Sequence, residues 1–452
     1  MKHGSIIAAV FPLLFFIGCA TLWPFGGEDE MVAVRGTQFV RNGKPYLFAG
    51  TNLWYAPYLG SPGAGGDRAR LRRELDSLQA AGVTNLRILA GSERGGMNGT
   101  LSPSFITGPD AYNDSLLLGL DVALAELAER GMTAVLFFTN YWEWSGGMLQ
   151  YVTWADALPV FDPSVEGWDA FMDRSASFYG NENANRMYRS YIRTIIARVN
   201  TVNGRRYAED PSIMAWQLAN EPRPGSTGPE GWRNAERYVR WIDETAAYIK
   251  SLDSLHLVST GSEGIVGSLQ DESLYVAAHR SRHIDYLTLH LWPGIWRWFD
   301  AGRPAETFGP ALDSAGSYVR AHLRIARQLQ KPLVLEEFGW RRDEGANAPS
   351  APASLRDRFY ERMLDLAADS AEAGSPMAGT NFWAWGGEGR SVRGDGRWRA
   401  GDPLTGDPPH EPQGMHSVFD TDMSTVNILK AHAARMRSAA ERRRSVAAGD
   451  VR

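Results

Sequence analysis

The chain has 452 residues, of which 44% are hydrophobic and 22% charged, a composition typical of a folded globular protein rather than a disordered or polytopic membrane protein. Its 47 Lys and Arg against 52 Asp and Glu give a net charge of −5, which offers no broad attraction to phosphate backbones and argues against a nucleic acid partner. The length is sufficient to bury a large core without disulfides or a structural metal.

The N-terminal segment has the layout of an export signal, because a basic start precedes an apolar run from Ile6 to Ile17. Residues 16–20 (FIGCA) resemble a bacterial lipoprotein cleavage box, and Cys19, the one cysteine of the chain, is the expected lipidation site. We predict a signal peptide over 1–19, a linker over 20–31, and an exported lipoprotein held at the outer membrane or cell surface. The alternative is a plain secretory signal, which predicts a secreted or periplasmic protein.

Eight short apolar runs alternate with helical patterns after the linker. Runs without polar alternation suit parallel strands covered on both faces, and their alternation with helices is typical of βα units. Eight units predict a (β/α)8 TIM barrel of the α/β class, a single catalytic domain over 32–440 followed by a basic tail over 441–452, and we expect a monomer. The runs are Tyr46–Gly50, Thr84–Leu89, Thr133–Phe138, Ile213–Leu218, His256–Ser259, Ile284–Leu289, Pro332–Leu335 and Gly379–Trp385.

Polar and aromatic residues cluster just after these runs. In a (β/α)8 barrel the segments after the strands converge on one face, where ligands bind. The clustering therefore predicts one site at that end of the barrel. The residues concerned are Asn52 and Trp54, Asn140, Trp142 and Trp144, Asn220 with Glu221, His290 and Trp292, Glu336 with Glu337, and Trp383 with Trp385.

Two carboxylates stand out at this face, Glu221 after the fourth run and Glu337 after the seventh. Glycoside hydrolysis needs such a pair on either side of a sugar, one protonated and one ionised, and a double displacement places them about 5 Å apart. Glu336 is expected to point the other way, toward the helices. His279 and His283 have helical spacing and are expected on a solvated helix face. We find no motif for a phosphate loop, a dinucleotide or a metalloprotease zinc site, and expect neither cofactor nor metal.

The motifs around the two glutamates resemble those of a known family. Residues 216–222 (WQLANEP) and 334–339 (VLEEFG) are similar to the acid/base and nucleophile motifs of glycoside hydrolase family 5. Residues 140–148 (NYWEWSGGM) and 408–414 (PPHEPQG) resemble its bacterial β-mannanase subfamily. Many members carry a Tyr whose phenol hydrogen-bonds the nucleophile where this chain has Trp292, which offers only an N–H donor.

The resemblance implies a role for each matching residue. Glu221 would be the general acid/base, with a raised pKa, and Glu337 the nucleophile. Arg87 would orient Glu337 and keep it ionised, and Asn220 would hold the 2-hydroxyl of the reacting sugar. His290 would join the same hydrogen-bond network. The expected aromatic and substrate-binding positions are Trp383 under the cleaved sugar, Trp292 beside it, and Trp54, Trp142 and Trp144 along the groove.

These features predict a retaining hydrolase that cleaves β-1,4-mannosidic linkages in mannan-type polysaccharides. The alternatives are an exo-acting β-mannosidase or mannobiohydrolase, a β-1,4-glucanase of the same family, or a non-catalytic polysaccharide-binding surface lipoprotein. The segments 140–183 and 386–413 are the expected walls of the groove.

Overall fold

Eight parallel strands, each followed by a helix, form the protein. The computed structural model describes Met1 and residues 30–63, 65–97 and 99–449. The strands are β1 Phe48–Asn52, β2 Asn85–Leu89, β3 Thr133–Phe137, β4 Ile213–Gln217, β5 Leu257–Ser259, β6 Leu287–Leu291, β7 Leu333–Phe338 and β8 Met377–Phe382. The helices that follow them are α1 Arg68–Ala80, α2 Asp114–Glu129, α3 Glu182–Ile196, α4 Pro229–Leu252, α5 Glu272–His279, α6 Pro304–Leu329, α7 Ser354–Glu372 and α8 Met423–Gly449.

The strands pair in the order β5-β4-β3-β2-β1-β8-β7-β6, and all seven strand pairings are parallel. Between β5 and β6, the Asp285 backbone N–H donates to the Val258 carbonyl at 2.8 Å, so the barrel is nearly closed. Each predicted apolar run overlaps one of these strands. The predicted (β/α)8 barrel is confirmed.

The helices form because each has a buried face and a defined start. Helix α2 begins after Asn113, whose side chain accepts hydrogen bonds from the backbone N–H groups of Ser115 and Leu116. Helix α4 begins with Pro229, which suits the first helical position, and buries Trp241 among its inward residues. Packing of such faces on the strands holds the outer ring in place.

A small antiparallel sheet (Ala33–Arg35, Gln38–Arg41 and Lys44–Tyr46) covers the end of the barrel where the strands begin. Its Phe39 packs with Phe48 and Met214 in a core cluster at that end. The other short elements lie in the loops. They are strands Ile106–Gly108, Ala111–Tyr112, Trp385–Gly387 and Val418–Phe419, helices Ala56–Gly60, Gly147–Asp156, Pro163–Glu166 and Trp168–Ala176, and 3-10 turns Glu143–Ser145, Ser177–Gly180, Tyr207–Glu209, Val266–Ser268 and Asp343–Gly345.

One prediction about the helices is wrong. His279 is buried at the end of α5, where its ring nitrogens contact the Tyr275 carbonyl and the Thr260 hydroxyl, each at 2.8 Å. The first part of the predicted basic tail, residues 441–449, lies on the end of α8, and Arg443 donates there to the Ser375 carbonyl at 3.0 Å.

The predicted signal peptide, the lipidation site Cys19 and most of the predicted linker lie outside the described residues. Within the part of the chain that is described, no helix combines the length and the apolar character needed to cross a bilayer.

Candidate active site

Glu221 and Glu337 meet at the end of the barrel where the strands finish. One carboxylate oxygen of each, together with a ring nitrogen of His290, forms a group whose atoms all lie within 4.8 Å of one another. Both glutamates are buried at the bottom of one cleft. The structure thus brings together the two glutamates that the sequence places after separate strands.

The loop after β4 holds Glu221 firmly. The Glu221 backbone N–H donates to the Gly261 carbonyl at 2.9 Å, and the preceding Asn220 N–H donates to the Thr139 carbonyl at 2.8 Å, so the loop is tied to both neighbouring loops. The φ of Glu221 is +51°, in the left-handed region that residues other than glycine rarely adopt. The surrounding structure imposes this backbone conformation on Glu221, and such strained positions cluster at active sites.

Arg87, which is fully buried on β2, connects the two halves of the site. Its guanidinium donates to the Glu337 carboxylate, to Asn220 Oδ1 at 2.7 Å and to Gln217 Oε1 at 2.8 Å. A further bond reaches Asn52 Oδ1 at 3.2 Å. A planar fork can satisfy acceptors on several sides at once, so one residue orients partners from β1, β4 and β7.

Glu336 does not point toward the helices as expected. Its side chain is fully buried and accepts two hydrogen bonds from Gln217 Nε2, at 2.8 and 2.9 Å. The reason lies in the register between β6 and β7, where Leu289 pairs with Leu335 but His290 pairs with Glu337. Glu336 is thus an extra, unpaired residue, and such a bulge breaks the alternation of faces on which the expectation rested.

His290 lies between the two carboxylates. Its Nδ1 is 2.6 Å from a Glu221 oxygen and 3.4 Å from a Glu337 oxygen. Burial lowers the pKa of His290, but the charge of Glu337 and the hydrogen bond to Glu221 outweigh it and raise that pKa to about 10. The ring therefore carries a proton at neutral pH, within one hydrogen bond of Glu221.

The pKa directions of the two glutamates are the reverse of the predicted order. Burial raises the pKa of Glu337 to about 7, although the charges of His290 and Arg87 oppose the rise. Burial also favours the neutral form of Glu221, but the hydrogen bond and charge of His290 outweigh it and hold the pKa of that carboxyl below its ordinary value. The difference arises because His290 and Trp142 hydrogen-bond to Glu221, whereas the charges of Glu221 and Glu336 add to the effect of burial on Glu337.

Trp142 contacts the Glu221 carboxylate directly, because its indole N–H donates to Oε2. The guanidinium of Arg223 stacks over the Trp142 ring at 4.9 Å and donates to the Glu263 carboxylate, with one bond of 2.7 Å. The charge of Arg223 also lowers the pKa of Glu221. These side chains form the wall of the cleft beside Glu221.

The cleft has a volume of about 580 Å³. Sugar hydrolysis uses a pair of carboxyl groups that face each other across the substrate. Buried hydrogen-bond donors and flat aromatic rings are typical of the pocket that binds the sugar. Six tryptophans line it, namely Trp142, Trp144, Trp168, Trp292, Trp296 and Trp383.

Comparison with known proteins identifies the family. A family model described as GH family 5 beta-mannosidase-like matches residues 29–441, nearly the whole described chain. The chain belongs to glycoside hydrolase family 5. It is a glycoside hydrolase, as predicted. The curated relatives that are named mannanases are plant enzymes. Membership of the bacterial β-mannanase subfamily therefore stays a prediction.

Relatives of this family 5 hydrolase are similar along most of their length. Mannan endo-1,4-beta-mannosidase 4 of Oryza sativa is 31% identical over 372 residues, 78% of this chain and 73% of that protein. Mannan endo-1,4-beta-mannosidase 7 of Arabidopsis thaliana is 30% identical over 83% of this chain and 84% of that protein. The family 5 mannosidase of Rhizomucor miehei, solved as a mutant in complex with mannosyl-fructose, is 34% identical with a TM-score of 0.84, over 92% of this chain and 99% of that chain.

The predicted aromatic platforms of this family 5 site divide into two groups. Trp383, Trp292, Trp144 and Trp142 line the cleft. Trp54 does not, because its side chain is 0% exposed, packs edge-on against Trp144, and donates from Nε1 to the Gly406 carbonyl at 2.8 Å. Trp54 is a core residue that supports Trp144 from behind, which corrects its prediction as a substrate platform.

Sequence reasoning missed several residues of the cleft. Glu263 follows β5 by four positions and Arg223 follows Glu221 by two, so the rule that active residues come after strand ends could have found both. Trp168 is 49% exposed, lines the cleft, and contacts the Trp142 ring at 6.3 Å between centroids. It lies in a long loop insertion, where no strand end marks its position.

Proposed function

We propose that the protein cleaves β-1,4-mannosidic linkages in mannan-type polysaccharides with retention of configuration, by double displacement. The separation of the two carboxylates carries the proposal. Retaining enzymes place the pair about 5–5.5 Å apart, whereas inverting enzymes leave about 6.5–9.5 Å for a water. The distance of at most 4.8 Å between the closest Glu221 and Glu337 oxygens favours the first arrangement.

In the first step, the ionised Glu337 attacks the anomeric carbon while Glu221 gives its proton to the leaving oxygen, so the glycosidic bond breaks as a glycosyl ester forms. The proton of Glu221 comes from His290 Nδ1, which lies 2.6 Å away. In the second step, Glu221 takes a proton from water, whose oxygen displaces Glu337 from the sugar, and returns that proton to His290 Nδ1. Arg87 stabilises the Glu337 carboxylate before attack and as it leaves.

The mannan substrate and internal cleavage are supported by the plant relatives, which are named mannan endo-1,4-beta-mannosidases. The Rhizomucor miehei protein, named a mannosidase, supports a mannoside substrate only. The cleft fits a carbohydrate because its six tryptophans offer apolar faces to sugar C–H groups. Trp383 lines the cleft beside Glu337 and is the proposed platform for the cleaved sugar.

The test is hydrolysis of linear mannan and mannohexaose by the native protein and by Glu337→Ala and Glu221→Ala. We expect each variant to lose at least about 10³-fold in rate, because each removes a group that acts in the transition state. Glu388→Gln is the matched control, since Glu388 pairs with Arg73 on the surface. The first product should be the β-anomer by NMR. An α-anomer, or native rates in Glu337→Ala, would contradict the mechanism. Mannose or mannobiose as the sole early product would contradict internal cleavage.

Lipid attachment at Cys19 stays a prediction. Labelling of expressing cells with an alkyne fatty acid should mark the native chain and not the Cys19→Ser variant. Equal labelling of both would contradict it.

A further inference from the structure

The loop of residues 139–148, here called the tryptophan loop, follows β3 and forms one wall of the cleft. Its Trp142 donates from the indole N–H to the Glu221 carboxylate. The backbone of the loop also contacts the loop after β4, since the Tyr141 N–H donates to the Asn220 carbonyl at 2.9 Å. The surroundings of Glu221 therefore depend on what holds the tryptophan loop in place.

Glu93 contacts this loop on the side away from the substrate. It follows the end of β2 by four residues, is fully buried, and does not line the cleft. Its Oε1 accepts a hydrogen bond from Thr139 Oγ1 at 2.8 Å, and its Oε2 accepts one from the Gly147 backbone N–H at 2.7 Å. Its own backbone N–H donates to the Ser145 carbonyl at 2.7 Å. The carboxyl group thus joins the two ends of the tryptophan loop.

The loop packs closely on the backbone of Glu93. Gly146 has a φ of +92°, and a Cβ atom there would lie 2.1 Å from the Glu93 carbonyl oxygen. At Gly147, where φ is +70°, a Cβ atom would lie 2.6 Å from the Trp142 carbonyl oxygen. This close fit restricts the loop to a narrow range of positions, and the two carboxyl hydrogen bonds fix it within that range.

The carboxyl group of Glu93 is costly to bury. Burial raises the pKa of Glu93 to about 7, although the hydrogen bonds from Thr139 and Gly147 oppose the rise. An apolar side chain of similar size would avoid the cost of removing a carboxylate from water, but it could not accept either hydrogen bond. A costly group that joins the ends of a loop beside Glu221 indicates a role in placing that loop.

We propose that Glu93 is a positioning residue of the reaction, which holds the tryptophan loop so that the Trp142 N–H reaches Glu221. The inference rests on the proposed function and adds a residue to its machinery. Glu93 touches neither the substrate nor the reacting atoms, and it acts through Trp142. If the loop moves away, Glu221 loses a hydrogen bond that lowers its pKa, so that pKa rises.

The test is a double-mutant cycle between Glu93→Ala and Trp142→Phe, measured as kcat/KM against pH on mannohexaose. Trp142→Phe removes the N–H donor and keeps an aromatic ring. Each single variant should lower kcat/KM about 10-fold or more, because the acid is then misplaced. Each should also move the alkaline limb of the profile to higher pH, because Glu221 then keeps its proton to a higher pH. The double variant should differ little from Trp142→Phe alone, since both changes remove the same contact.

Two milder variants test the hydrogen bonds of Glu93 separately. Glu93→Gln should keep kcat/KM within about 3-fold of the native value, because its amide oxygen can accept from the Gly147 N–H and the Thr139 hydroxyl can accept from its NH₂ group. Thr139→Val removes one of the two bonds at nearly the same volume and retains Glu93. It should move the alkaline limb in the same direction as Glu93→Ala, and it serves as the test if Glu93→Ala does not fold.

Asp121→Ala is the matched control for the loss of a buried carboxyl group. Asp121 is also fully buried and accepts hydrogen bonds from the Thr201 and Tyr207 hydroxyls, each at 2.7 Å, away from the cleft. Its replacement should lower the free energy of unfolding, measured in urea, and leave the pH profile unchanged.

Two outcomes would overturn the inference. Fully additive effects in the double variant would mean that Glu93 does not act through Trp142. An unchanged pH profile in both Glu93→Ala and Thr139→Val, with a loss of stability like that of Asp121→Ala, would mean that Glu93 serves the fold alone. Failure of the proposed function has a different signature, since the native protein would then leave mannohexaose intact.

Discussion

Replacing Arg87 by lysine tests whether this residue acts on catalysis as well as on folding. Arg87 donates to four acceptors, on Glu337, Asn220, Gln217 and Asn52. An ammonium group is a single point with three donors and cannot reach acceptors on several sides of a planar fork. At least two buried acceptors would lose their donor, at about 1–3 kcal/mol each.

The loss predicts a destabilisation of about 2–6 kcal/mol, measured by urea unfolding. Weaker orientation of Glu337 and Asn220 should also lower kcat/KM about 10²-fold, since each factor of ten corresponds to about 1.4 kcal/mol. The pH profile gives a third readout. Arg87 lowers the pKa of Glu337, so its replacement by an uncharged residue, Arg87→Met, raises that pKa. Glu337 must be ionised to react, so the native protein should lose activity as the pH falls below about 7. In Arg87→Met this loss should begin at a higher pH.

Arg198→Lys is the matched control, because Arg198 forms a similar fork with Asp121, at 2.6 and 2.8 Å, away from the cleft. It should lower stability and leave kcat/KM and the pH profile unchanged. If Arg87→Lys lowers stability alone, as the control does, the assigned role of Arg87 in the reaction is wrong.

Three further changes separate the roles of other residues. His290→Asn removes a charge that lowers the pKa of Glu337, so the acid limb of the kcat/KM profile should move to higher pH; an unmoved limb would contradict this electrostatic link. Trp168→Ala should raise KM about 3- to 10-fold on mannohexaose and change KM for a short aryl mannoside less, as expected for a ring that reaches Glu221 only through Trp142. Trp54→Ala should cost about 3–5 kcal/mol in urea unfolding, as loss of a buried Trp does, without changing the ratio of rates on mannan and cellulose.

The barrel could be predicted from the sequence because every buried strand is a short apolar run. The predicted run Ile213–Leu218 and the strand Ile213–Gln217 differ by one residue, and the other runs shift by a few positions. Burial of both faces leaves a clear signal in residue type, and the polar residues that follow the strands mark the face where ligands bind. Glu221, Glu337 and His290 were found together in this way, whereas Arg87, which lies within β2, came from the family resemblance.

The remaining errors concern features that residue type does not encode. The bulge at Glu336 depends on how β6 and β7 pair in space, and a strand pattern read from one segment assumes regular alternation. The burial of Trp54 depends on Trp144 and Gly406, which are distant in the chain. The pKa order of the two glutamates depends on the buried groups around each of them, in particular on the hydrogen bond that His290 makes to Glu221.

The small sheet over residues 33–46 determines how the molecule would be presented at a surface. It places Glu30, whose carbonyl accepts a hydrogen bond from Arg41 at 3.0 Å, at the end of the barrel opposite to the cleft. Ten residues lie between Cys19 and Glu30, so the two are at most about 40 Å apart when the chain is fully stretched. A lipid tether at Cys19 would therefore join the barrel at the end opposite to the cleft and leave the cleft open to an insoluble polysaccharide.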